Sequence, residues 1–139
     1  MQEELEVLRR HHQGTQGRDL ALGVNKVVSA EGLDQLRRLA QGVKVEETLL
    51  AYIASLSRKT REHPQVRLGA SPRSSVALLQ ASKAYAALRG RSFATPDDVK
   101  AACPHVLRHR LALRPEAELD GLTPDALIAQ LLTQVEIPR

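Results

Sequence analysis

Apolar positions recur along most of this chain at the three-and-four spacing of a helix, with polar side chains between them, and no stretch sustains the two-residue alternation of a half-buried strand. The clearest case is EETLLAYIASLSRKTREH. Leu49, Leu50, Ile53, Leu56 and Ser57 share one face there, and the helix is predicted to stop ahead of Pro64, because a residue before proline is pushed out of α geometry. Upstream, VVSAEGLDQLRRLAQGV predicts a helix capped by Ser29, with Leu33, Leu36, Leu39 and Ala40 on one face and Gly42 at its end. Lys26–Ser29 and Val43–Val45, on either side of it, are candidates for a minor two-stranded β-ribbon near residues 26–45.

SPRSSVALLQASKAYAALRG is apolar around most of its circumference. Val76, Leu79, Lys83 and Ala87 face one way and Ala77, Ala81, Ala84, Tyr85 and Leu88 another, so this segment is expected to be the central, most buried helix, closing at Gly90. Thr95 and Pro96 start the next helix, with Asp97 and Asp98 placing carboxylates in its first turn, and Pro104 is expected to break it ahead of a short successor carrying Val106, Leu107 and His109. Thr123 and Pro124 repeat the starting device before the packing face Leu127, Ile128, Leu131 and Leu132. At the other end, MQEELEVLRRHH orders Glu3, Glu4 and Glu6 before Arg9 and Arg10 as a helix dipole favours, but Leu5 and Leu8 give it only a thin apolar stripe. The glycine-rich QGTQGRDLALGVN after it reads as a connector. The expected fold is all-α, a small bundle of about five to seven helices.

Composition narrows the function. One Phe, two Tyr and no Trp leave the core aliphatic, and the single Cys103 excludes an intramolecular disulfide and fits a reducing compartment. No apolar run reaches the roughly 18 residues of a membrane span and no signal peptide opens the chain, so a cytoplasmic protein is expected. The 20 Lys and Arg against 16 Asp and Glu give a net charge of +4, but the basic residues are dispersed and lack interleaved aromatics, which makes nucleic-acid binding an unfavoured reading.

RLGASPRSS carries the strongest chemical signal. Ser71 is a good N-cap and Pro72 fits the first helical position, yet Arg73 puts a cation in a first turn where the macrodipole favours anions. By itself a first-turn arginine usually just reaches solvent or a carboxylate, so the misplaced charge raises a functional question without answering it. His105 and His109 stand four apart, but HVLRH lacks the zincin glutamate and a third ligand, so no metal site is expected; His109 and Arg110 are expected to hold the last helices to the bundle. Cys103 has no nearby base and reads as a small buried hydrophobe, and Asp97 and Asp98 read as helix-capping charges.

Gly-Ala-Ser-Pro-Arg at 69–73, Thr-Pro-Asp-Asp-Val at 95–99 and Leu-Arg-His-Arg-Leu at 107–111, in that order, resemble the C-terminal helical lid of the MoxR group of AAA+ ATPases. The resemblance continues to the end of the chain, and EELEVLRRH resembles the helix leaving that family's ATPase core. It implies a division into 1–25, a connecting helix and linker from an ATPase core, and 26–139, the lid. It further implies that Arg73 is the sensor 2 arginine, contacting the γ-phosphate of ATP held with Mg by the core. Gly69 and Ala70 would allow close approach of core or nucleotide, with Gly69 a candidate for positive φ; Ser71 would cap, and Arg67 is a second phosphate or interface candidate.

The implied partners are the ATPase core of the same parent, neighbouring subunits of a hexameric ring and a client undergoing chaperone-like maturation. The chain carries no G-x-x-x-x-G-K-[ST] loop and no strand ending in paired acids, so by itself it is expected neither to hydrolyse nor to hold ATP. Two alternatives stand beside the lid: a basic helical nucleic-acid module and a structural protein-interaction domain.

Overall fold

The computed structural model describes residues 1–12 and 25–137; most of the glycine-rich connector lies outside them. Two compact units result, Met1–Leu33 and Asp34–Arg139. The first holds α1 (Gln2–His12), whose Leu5 and Leu8 are exposed, and the start of α2 (Ala30–Gln41), where the Ser29 hydroxyl accepts from the Gly32 N–H at 3.0 Å. The second holds the rest of α2, then α3 (Glu47–Glu62), β1 (Val66–Leu68), α4 (Pro72–Leu88), α5 (Pro96–Leu107), a 3-10 turn (Arg108–Arg110), β2 (Ala112–Leu113), α6 (Pro115–Leu119) and α7 (Pro124–Gln134). Among the described residues the chain is therefore mostly helical with one small antiparallel sheet. Among the described residues no helix is long and apolar enough to cross a membrane.

The core follows the predicted periodicities for α3 and α7. Leu49, Tyr52, Ile53 and Leu56 from α3 meet Val99, Ala102, Cys103 and Leu107 from α5 and Leu127, Ile128 and Leu131 from α7 in one buried cluster. Each large aliphatic buried this way contributes about 1.5–3 kcal/mol. Burial also pushes the Cys103 thiol pKa up to about 12, so its nucleophilic thiolate is suppressed at neutral pH. Thiol reagents are expected to leave Cys103 unmodified in the native chain and to label it only in denaturant, as mass spectrometry would show.

Four expectations need correction. The ribbon does not form near residues 26–45: Val66 pairs with Leu113 and Leu68 with Ala112, while Val27 is 95% exposed. Lys44 instead bonds across to the 92–94 segment, its N–H donating to Ser92 O at 2.8 Å and its carbonyl accepting from Ala94 N at 3.0 Å. Strand partners are chosen by which edge buries an apolar side chain, here Val66 and Leu113, and not by nearness in sequence.

Pro104 does not break α5, which runs through it to Leu107. Losing one i→i−4 bond to proline costs about 3 kcal/mol. Buried Val99, Ala102 and Cys103 before it and Leu107 after it lie in the core, and their packing offsets that loss.

In α4 the buried stripe is Ser74, Leu78, Ser82 and Ala86, on neither predicted face; Val76 and Leu88 are exposed. The stripe is narrow because serine and alanine let α5 and α3 approach closely, and the Ser82 hydroxyl donates to Leu78 O at 2.7 Å, so its burial leaves no orphan donor. Finally, it is not His109 and Arg110 that tie the last helices together. His109 is exposed and among the described residues accepts only from its neighbour, Arg110 Nε, whereas Arg108 Nε reaches Asp125 of α7 at 3.2 Å.

Candidate functional site

The site begins at the start of α4, and its local chemistry is as the sequence dictates. Ser71 is extended (φ −75°, ψ 164°), its hydroxyl accepts from the Ser74 N–H at 3.3 Å, and Pro72 occupies the first helical position. Proline has no N–H and that of Ser74 is taken, so the Arg73 N–H is the first-turn donor without an acceptor among the described residues. The Arg73 side chain is exposed and makes no hydrogen bond or ion pair with any described residue. A cation left unpaired where the macrodipole is positive is mildly unfavourable for the isolated chain.

What holds this helix start in place comes from α3, which the periodicity did not reveal. The Thr60 hydroxyl donates to Ser57 O at 2.7 Å and accepts from the Ala70 N–H at 2.8 Å. Arg61 Nη1 donates to Ala70 O at 2.7 Å, and Ser75 Oγ donates to Ser57 Oγ at 2.8 Å. Ser57, Thr60 and Ser74 are buried, so these bonds form away from competing water. The available signal was Ser57 itself, a hydroxyl on an otherwise apolar stripe.

Gly69 and Ala70 therefore do allow close approach, but to α3 of the same chain. A Cβ at Gly69 would lie 2.7 Å from both the N and Cα of Arg61, and the positive-φ glycines among the described residues are Gly90 and Gly121, not Gly69. Ala70 is fully buried with its N–H and C=O both engaged, which leaves it no group to offer a ligand. Gly69→Ala is expected to force backbone against backbone and to cost about 1–3 kcal/mol, read as a lowered thermal midpoint. Arg67 is exposed on β1, and Ser71 is exposed with its hydroxyl committed to the cap.

A second polar centre was legible only as helix capping. Asp98 is 0% exposed, and its carboxylate accepts from Arg91 Nη1 and Nη2 at 2.8 and 2.6 Å, from Arg89 Nη1 at 2.8 Å, and from the N–H and hydroxyl of Thr95 at 2.9 and 3.0 Å. Burial alone would raise its pKa, but the Arg91 guanidinium and the Thr95 donors outweigh it and hold the carboxyl at about 2. The arginines reach it because α4 closes on Gly90 at φ 70°, with Gly90 N–H bonded to Ala87 O and Arg91 N–H to Ala86 O. Asp98 thus locks the end of α4 to the start of α5. Asp97, by contrast, is exposed and pairs with Lys100 at 3.2 Å.

Similarity to known proteins agrees with this architecture. The profile of a family described as the AAA lid domain matches residues 58–131. The chain is 38% identical over 112 residues to YeaC of Bacillus subtilis, which takes in 81% of this chain and 35% of that protein. It is 32% identical over 123 residues to Chaperone MoxR1 of Mycobacterium tuberculosis, taking in 82% of this chain and 33% of that one. A solved structure from Cytophaga hutchinsonii, of a protein classed as an ATPase, superposes with a TM-score of 0.77 at 29% identity, over 99% of this chain and 43% of its own length. The chain spans about a third of the length of the curated relatives it matches.

Proposed function

Because the chain belongs to the AAA lid domain family, we propose that it acts as the C-terminal lid of a MoxR-type ATPase, with Arg73 as the sensor 2 arginine that couples nucleotide state to lid position. Residues 26–139 are the lid, and residues 1–25 are the connecting helix and linker from the ATPase core. The parent works in the cytoplasm as a hexameric ring of subunits, and its nucleotide cycle drives chaperone-like maturation of a client. ATP and Mg belong to the parent's core.

The observation that carries this reading is an exposed guanidinium, unpaired among the described residues, on a helix start that is itself firmly seated. The donor set fits a phosphate: five guanidinium N–H groups in a planar fork, the spare Arg73 N–H, and the positive end of a 17-residue helix. The Ser57, Thr60 and Arg61 bonds to the 70–75 segment fix the direction in which Arg73 leaves the bundle, so movement of the lid would carry the guanidinium toward or away from a nucleotide as a rigid body. Arg67, exposed on the strand that leads into this turn, is a second contact of lesser weight. The test is ATP turnover by the full-length parent with Arg73→Ala. Loss of turnover with an intact lid supports the role, and wild-type turnover removes it.

A further inference from the structure

At the far end of α4, about 20 Å along the helix from Arg73, lies a groove of about 790 Å³ between α2 and the α4–α5 connection. Its lining includes Arg38 and Leu39 from α2, Val43, Ala87 and Gly90. Helix α2 buries none of its residues; Leu36 is 55% and Leu39 66% exposed. The helix is nevertheless held in place, since Lys83 Nζ of α4 donates to Gln41 O at its C-terminal end and Lys44 is bonded to Ser92 and Ala94 just beyond. An ordered amphipathic helix that leaves its leucines in water beside an apolar groove has the form of a half-built helix–helix interface.

The charges select the partner. The groove's charged lining residues are Arg38 and Arg91, with no carboxylate among them. Arg91 is satisfied by Asp98, whereas Arg38 makes no ion pair with any described residue. A basic segment seated there would face Arg38 without compensation, while an acidic one would gain a charge-assisted contact beside its apolar anchors. We propose that this groove docks an acidic amphipathic helix from a protein partner, its apolar ridge entering beside Leu39 and a carboxylate meeting Arg38. The surface does not use Arg73, so its outcome is separable from the lid assignment.

Panning a display library of randomised helical peptides against the whole chain tests it. Enriched peptides are expected to carry large apolar residues at i, i+3, i+4 and i+7 with Asp or Glu beside them. They should shift the backbone amides of residues 35–43 and 87–92 in NMR spectra and bind about tenfold or more weakly to Leu39→Asp and to Arg38→Glu. Exchanging the peptide's acid for Lys should restore binding to Arg38→Glu. Both replaced side chains are exposed, and circular dichroism with Leu36→Asp as a second variant checks that folding is unchanged. Basic winners, winners that perturb other residues, no winners, or self-association of the chain abolished by Leu39→Asp would each overturn the proposal.

Discussion

On the proposed lid role, Arg73→Ala in the full-length parent is expected to lower ATP turnover by about a hundredfold, the usual cost of removing one preorganised donor from developing phosphate charge. The same substitution should leave the lid's stability unchanged or raise it by a few tenths of a kcal/mol, because it deletes a cation with no partner among the described residues from the first turn of a helix. That opposition between activity and stability is diagnostic. A side chain serving the fold would lose both together, and a bystander would lose neither. Arg73→Lys should recover little, since a point charge on a flexible stem cannot replace a planar bidentate fork. Turnover measured beside the thermal midpoint of the same preparations decides among these outcomes.

Asp98→Ala is expected to cost about 3 kcal/mol of stability and to lower the thermal midpoint by about 10 °C or more. It removes five hydrogen-bond contacts to one buried carboxylate, and with them the capping of α5 and the link to the end of α4. Its partners soften the loss: Arg91 is 27% and Arg89 48% exposed, so both can turn to water. The charge itself can be isolated by pH. The Asp98 pKa is lowered from 3.8 in the unfolded chain to about 2 in the fold, so the unfolded state binds the proton more tightly. The ionised carboxylate then stabilises the fold fully above about pH 4, and this contribution, about 2 kcal/mol, is lost as pH falls toward 2. Acid unfolding of wild type and Asp98→Asn should differ across that window. Parallel pH profiles would show that the two guanidinium groups do not stabilise the charge.

Helix starts were legible in the sequence because their chemistry is confined to one turn. Ser71 with Pro72 and Thr123 with Pro124 cap as read, their hydroxyls accepting from Ser74 and Ala126 N–H groups three residues on. The leucine and isoleucine stripes of α3 and α7 were legible for a similar reason: a 3.6-residue repeat has one apolar face whatever it later packs against. In α4 alanine and serine carry too little contrast to mark a face, and the close approach of α5 and α3 selected Ser74, Leu78, Ser82 and Ala86. At Pro104 the sequence shows the cost of a local break but not the burial that opposes it.

By itself, then, the sequence determined an all-α chain with its helix starts, an aliphatic core and a cation set against the dipole at Arg73, each a matter of interactions spanning a few residues. The tertiary structure alone decided that Val66 pairs with Leu113, that Gly69 is reserved for the backbone of Arg61, that Asp98 is a buried hub for two arginines, and that Leu36 and Leu39 stay in water. Those outcomes depend on which surfaces meet when the helices pack, and no local spacing rule encodes the free energy of a contact between segments that only the fold brings together.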